Sequence, residues 1–131
     1  MSKVFFACAM SGLTPYEYTS FQDIFKVMIA DSDNDVFCEM LTVHYDAMEE
    51  PSVATAKDIK AIEDCDEFVL AHFSTEQSST LFELGIAYAL KKPIKIHCMT
   101  RTELPFMVKE LDEVSDLVEI IVIKNFKDIR I

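Results

Sequence analysis

The stretch Glu67-Phe68-Val69-Leu70-Ala71-His72-Phe73, followed by Ser79-Thr80-Leu81-Phe82-Glu83-Leu84-Gly85-Ile86-Ala87-Tyr88-Ala89-Leu90-Lys91-Lys92-Pro93-Ile94, decides the fold of this chain. The first run is apolar on both faces, as a strand covered from both sides must be. The second is long enough and apolar enough for a helix, and it ends where Pro93 forbids continuation. Pro93-Ile94-Lys95-Ile96-His97-Cys98-Met99 then reads as another strand. A strand, a helix and a strand in that order form a parallel crossover. The helix also contains one carboxylate, Glu83, among residues that are almost all apolar or small.

Working outward, the same alternation holds. Lys3-Val4-Phe5-Phe6-Ala7-Cys8-Ala9 reads as a buried strand, with the turn formers Ser11 and Gly12 after it. Thr14-Pro15-Tyr16-Glu17 supplies an N-cap, a proline at the first helical position and a glutamate three residues past the cap. The helix it opens carries Phe21, Ile24, Phe25 and Met28 at helical spacing and stops in the polar run from Asp31 to Asp35. Val36 to His44 is a strand-like run, and Ser52 to Asp64 a helix with Val53, Ala56, Ile59 and Ile62 on one face. Glu103 to Asp112 reads as helical, and Leu117 to Ile123 as the last strand.

The expected architecture is therefore α/β: a flavodoxin-like, Rossmann-like three-layer sandwich with a five-stranded parallel sheet and helices on both faces. At 131 residues, residues 1–131 make one domain. Ligands of such sheets bind beyond the carboxyl ends of the strands, where strand order reverses. The loops there are residues 9–15, 45–52, 74–80 and 99–104.

Composition narrows the function classes. A net charge of −11 argues against nucleic acid and anionic membranes as partners, since both need clustered Lys and Arg. No apolar run approaches the ~20 residues of a membrane span, and the N-terminus has no secretory pattern, so a cytoplasmic location is expected. Cys8, Cys38, Cys65 and Cys98 have no C-x-x-C spacing and read as buried free thiols. His44, His72 and His97 each stand in a strand-like run without a ligand-spaced partner, so no metal site is expected. P-loop, dinucleotide-binding and G-x-S-x-G patterns are absent.

Two carboxylates remain. Glu83 reads either as part of a capping box with Thr80 in the first turn of its helix, or as a reactive group at the crevice. Asp58 lies between Lys57 and Lys60, where pairing with lysine at the surface is one reading. The other is a carboxyl pair with Glu83, suited to cleavage at an acetal-like carbon: one group attacks while its partner protonates the leaving group. Asp66 reads as a structural turn residue, and Ser78 and Ser79 as helix caps or as hydrogen-bond donors to a sugar or phosphate.

Phe82-Glu83-Leu84-Gly85-Ile86-Ala87-Tyr88-Ala89-Leu90-x-Lys92-Pro93-Ile94 resembles the E-[LI]-G-x-A-x-A-x-x-K-x-[VI] segment of the nucleoside 2-deoxyribosyltransferase family, which includes the 2'-deoxynucleoside 5'-monophosphate N-glycosidases. Upstream, Asp58-Ile59-x-x-Ile62-x-x-x-Asp66-x-x-Val69 is similar to the family's D-[LI]-x-x-[IL]-x-x-x-D-x-[VM] run, and the likeness extends over roughly residues 3–123. The resemblance implies that Glu83 is a nucleophile forming a covalent glycosyl-enzyme at C1' of a 2'-deoxynucleoside. It implies that Asp58 contacts the base and protonates it as it leaves. Water or a second base then takes the sugar, so the protein would be a transferase or an N-glycosidase.

No metal or organic cofactor is implied. The partner would be a small-molecule nucleoside or nucleotide, and a homo-oligomer is expected. The substrate would meet Phe5, Ala9, Met10, Ser78 and Ser79. Where transferases commonly present a tyrosine on the opening strand, this chain has Phe5 and Phe6. Where the hydrolases have an arginine-bearing loop, it has Ala9-Met10-Ser11-Gly12-Leu13, which favours a nucleoside over a 5'-monophosphate. The loop ahead of the nucleophile reads Ser74-Thr75-Glu76-Gln77-Ser78-Ser79, with Glu76 in place of the usual acid. A non-catalytic nucleotide-sensing module on the same fold is the alternative.

Overall fold

A computed structural model describes residues 1–9, 12–42, 49–73 and 78–131. Five strands, β1 (Lys3–Cys8), β2 (Asp35–Phe37), β3 (Glu67–His72), β4 (Ile94–Cys98) and β5 (Val118–Val122), form one sheet in the order β2-β1-β3-β4-β5. Every pairing is parallel. This is the flavodoxin-like winding expected from the alternation of strand and helix. Its strand order reverses between β1 and β3, which run in register from Val4 beside Glu67 to Cys8 beside Ala71.

Period-two alternation divides the core into two layers. Phe5 and Ala7 of β1, with Phe68, Leu70, Ile94 and Ile96, face the helices α3 (Pro51–Asp64) and α4 (Ser78–Ala89). Val4, Phe6 and Cys8, with Val69 and Ala71, face α1 (Pro15–Asp31) on the other side. There Phe21, Phe25, Phe73 and Phe126 interlock, Phe21 stacking on Phe73 with centroids 4.2 Å apart.

Helix α1 begins as its capping sequence requires. Glu17 N–H donates to Thr14 Oγ1 at 3.1 Å and Thr14 N–H to Glu17 Oε1 at 3.0 Å. Helix α3 starts at Pro51, but only Ile62 of its expected apolar face is fully buried, and Val53 is half exposed. Asp66, just before β3, ties the start of β3 to the start of β1: its Oδ2 accepts from Lys3 N–H at 2.8 Å.

Two expected elements differ. The run from Val36 is a strand only to Phe37; a short helix α2 (Glu39–Thr42) follows, and residues 43 and 44 lie outside the described residues. β2 pairs only with β1, so nothing holds the chain extended on its outer side. Its exit is fixed instead at the Met40 carbonyl, which accepts from Tyr18 Oη at 3.3 Å and Gln22 Nε2 at 2.7 Å.

The expected helix over 103–112 is a 3-10 turn (Arg101–Glu103), further turns and a short helix α5 (Leu111–Val114). Pro105 removes a helical N–H from this stretch. Arg101 closes it instead by pairing with Asp112 at 2.6 Å and donating to the Lys109 carbonyl at 3.1 Å. A 3-10 turn at Phe126–Asp128, absent from the sequence reading, seals the α1 face with Phe126 and Ile129. Among the described residues no helix is long and apolar enough to cross a membrane.

Candidate functional site

The residues of interest gather on the α3–α4 side of the sheet, near the carboxyl ends of β1 and β2. In α4, Thr80, Leu84 and Ala87 are buried, and Glu83 falls between them, three residues after Thr80 and four before Ala87. Helical periodicity therefore sets Glu83 on the inward stripe. It occupies the second turn of α4, not the first, and Thr80 is itself inside the helix and buried. The capping-box reading of Thr80 and Glu83 is overturned on that ground, because a cap must stand before the helix.

Asp58 lies one turn before the fully buried Ile62 on α3, facing α4. The lysines beside it in sequence are engaged elsewhere: Lys60 pairs with Asp64 at 3.1 Å, and Lys57 with Glu39 at 3.4 Å and with Glu49. What acts on the neighbouring carboxyls from α3 is Asp58, which raises both Glu83 and Glu39. Its Oδ1 is buried and has no N–H or hydroxyl partner among the described residues. Neighbouring carboxyls out of water favour a state in which one of them carries a proton.

Electrostatics places that proton. Burial, then the hydrogen bond and charge of Asp58, and then the charge of Glu39 push the Glu83 carboxyl up to about 9. Burial and the Asp58 charge push Glu39 up to about 7, opposed by the Lys57 ammonium. The helix dipole of α4 does not outweigh these effects at the second turn, where its field has already declined. Glu83 is thus protonated at neutral pH and not held ionised.

Glu39, the first residue of α2, falls within the Val36–His44 run whose sequence reads as a strand. It carries the same signal as Glu83, a single acid among apolar neighbours, here Cys38, Met40 and Leu41. Tyr18 is the second residue that sequence reading missed. It is buried, and its ring lies close enough to Cys8, Cys38 and Glu39 for their charges, after burial, to push its hydroxyl up to about 12. A tyrosine thus approaches this region from α1 rather than from the opening strand. Cys8 and Cys38 are buried free thiols that act on each other, raising Cys8 and lowering Cys38.

The remaining expected substrate contacts divide. Phe5 packs as core, its ring stacked between Phe37 at 5.2 Å and Phe68 at 5.4 Å. Ala9 is buried at the end of β1. Ser78 and Ser79 are the exposed first residues of α4. Met10, Ser11, His44 and the segment 74–77 with Glu76 lie outside the described residues. Among the described residues no group of three His, Cys, Asp or Glu side chains is arranged to hold a metal ion.

Lys92 has an architectural role. Its ammonium donates to the carbonyls of Glu63 and Cys65, each at 2.8 Å, where α3 ends. It ties the end of one site-bearing helix to the end of the other, which accounts for a lysine nine residues after Glu83.

The fold is that of a known N-glycosidase. The structure of CMP N-glycosidase BcmB from Clostridium botulinum superposes with a TM-score of 0.70 at 22% identity, over 94% of this chain and 89% of that one. The solution structure of BlsM gives a TM-score of 0.70 at 22% identity, over 95% and 82% of the two chains. A conserved protein from Enterococcus faecalis V583 gives 0.60 at 15% identity, over 87% and 74%. No family model matches the chain, and no curated protein matches it. These neighbours bear out the expected fold, and the likeness is one of fold.

Proposed function

We propose that the protein breaks the N-glycosidic bond of a 2'-deoxynucleoside, with Glu83 as nucleophile and Asp58 as the acid that protonates the departing base. The observation that supports this reading is the placement of Glu83 on the inward stripe of α4, which packs against the Asp58-bearing helix α3, with Asp58 acting on the Glu83 carboxyl. Two carboxyls sharing a proton at the carboxyl edge of a parallel sheet are equipped for double displacement.

In the resting protein Glu83 holds the proton. Its transfer to Asp58 leaves an ionised nucleophile and a protonated acid. Glu83 then attacks C1', the C1'–N bond breaks with its electron pair moving to the base, and Asp58 gives the base its proton. A glycosyl ester on Glu83 and a carboxylate on Asp58 result. In the second step Asp58 removes a proton from water or from an incoming base. That acceptor attacks C1' from the opposite side and releases Glu83, with configuration retained.

The negative charge of Asp58 and Glu39 acting on Glu83, with a net charge of −11, favours a nucleoside over its phosphate. A second reading, a 5'-monophosphate N-glycosidase, has support from the description of BcmB as a CMP N-glycosidase. Ser78 and Ser79 are also exposed at the N-terminus of α4, the end of a helix that favours an anion.

Incubation with deoxynucleosides and with their 5'-monophosphates, with and without a second base, decides between these readings by chromatography of the released base. Brief exposure to a 2'-fluorinated deoxynucleoside should leave a glycosyl adduct, located on Glu83 by peptide mass. A protein that releases no base from either substrate, and whose Glu83→Ala variant binds nucleoside as wild type does, is not this enzyme. Tight binding without turnover would identify a sensing module.

A further inference from the structure

At the amino edge of the sheet, away from the carboxyl crevice, α4 ends beside the approach to β5. Lys92 stands just before β4 and Leu117 just before β5, and the Ile94 N–H donates to the Leu117 carbonyl at 2.8 Å. At this corner lies a cleft of about 370 Å³, lined by the end of α4, the end of α5 and the segment after it. That volume falls within the range of small-ligand sites.

The chain has 23 acidic and 12 basic residues, yet among the described residues this cleft is lined by two lysines, Lys91 and Lys92, and no carboxylate. Glu113 and Asp116, close by in sequence, are exposed and do not line it. The Lys92 ammonium is already held by the Glu63 and Cys65 carbonyls. Lys91 takes part in no ion pair among the described residues, so its charge is available.

Lys91 also keeps a costly backbone. α4 closes with the Lys92 N–H on the Ala87 carbonyl and the Lys91 N–H on the Tyr88 carbonyl, each at 3.0 Å, and Lys91 takes φ 59°. Glycine is the usual residue at that place in such a helix ending, because a Cβ is crowded there. A side chain retained against that strain marks a position with a task.

We propose that this cleft is a second binding site, separate from the carboxyl crevice, for a small organic anion: an acid head on an apolar body. Lys91 receives the head. Ser115 Oγ accepts from the Leu117 N–H at 3.2 Å, which leaves its own hydrogen to donate to the same head. Ala89, Val114, Leu117 and the Tyr88 ring, all exposed, give the body an apolar wall to cover. The negative end of the α4 dipole opposes the head with about half a charge, less than the full charge of Lys91.

Titration of isotope-labelled protein with benzoate, phenyl phosphate and uncharged benzyl alcohol, followed by amide NMR, tests this without any turnover. The anions should move the amides of Lys91, Lys92, Ser115 and Leu117 along one saturable curve. Benzyl alcohol should bind at least about tenfold more weakly. Whichever anion binds better names the head, and either result supports the site. Lys91→Gly should lose about tenfold in affinity while its melting temperature rises, since glycine accepts that φ. Lys91→Arg, which keeps the charge, should bind within about threefold of wild type.

Unchanged affinity in Lys91→Gly overturns the inference, as does equal affinity for benzoate and benzyl alcohol. Shifts confined to the amides around Asp58 and Glu83 would seat the anion in the carboxyl crevice and overturn it too. Movement of the same four amides on dilution of the protein alone would show a second copy of the chain in the cleft, with the same consequence.

Discussion

Glu83 of α4 lies across the α3–α4 interface from Asp58, and burial together with that neighbouring carboxyl pushes Glu83 up to about 9. The placement depends on the inward stripe of each helix and on Lys92, which joins the ends of α3 and α4.

Replacing Glu83 with Gln should abolish base release, lowering kcat more than about a thousandfold while nucleoside binding persists. It should also change the pH dependence of stability. Glu83 titrates near 4.5 when unfolded and about 9 when folded, so between those values the native state binds the extra proton. Its contribution to stability is complete below 4.5 and is lost as pH rises through about 9. Thermal unfolding between pH 5 and 9 should show wild type losing stability relative to Glu83→Gln as pH rises.

His97 acts in the opposite direction. It is fully buried on β4, accepts the Arg130 N–H at Nε2 at 3.3 Å, and burial pushes its imidazole down to about 4. The unfolded state binds the extra proton between about 4 and 6.5, so stability falls as pH falls through that window. The loss should reach about 3 kcal/mol at most. Denaturant titrations at pH 7 and pH 4.5 check this, with His97→Phe expected to flatten the acid side.

Gly85 lies inside α4, exposed, and a Cβ built there meets nothing within 4 Å. Alanine at this position should stabilise the chain by about 1 kcal/mol, read from the denaturant midpoint. An oligomer that packs on this face, beside the exposed Phe82 and Tyr88, would reverse the sign, because the added methyl would then meet a neighbour.

Lys92→Met should cost about 1–2 kcal/mol by leaving the Glu63 and Cys65 carbonyls without their charged donor. The measurement that separates architecture from chemistry is the Glu83 titration, which should move only if α4 shifts against α3.

The alternation of buried runs and helices was enough to order the sheet. Runs such as Phe68 to Ala71 can only be central parallel strands, and crossovers between them have one favoured hand. Local chemistry was equally legible where it is local: the Thr14–Glu17 capping box is made by residues three apart. The errors fell where partners are distant in sequence. β2 ends early because it pairs on one side only and because Tyr18 and Gln22 claim the Met40 carbonyl.

The sequence by itself determined the fold class, the inward stripe that holds Glu83, and Asp58 as the acid to set beside it. Only the tertiary structure decided that Glu83 is a buried acid in the second turn, that Asp58 acts on neighbouring carboxyls, and that Glu39 is one of them. The reason is physical. Strand and helix periods are written along the chain, whereas desolvation and charge–charge contact depend on which helices meet, and α2, α3 and α4 meet only in the folded protein.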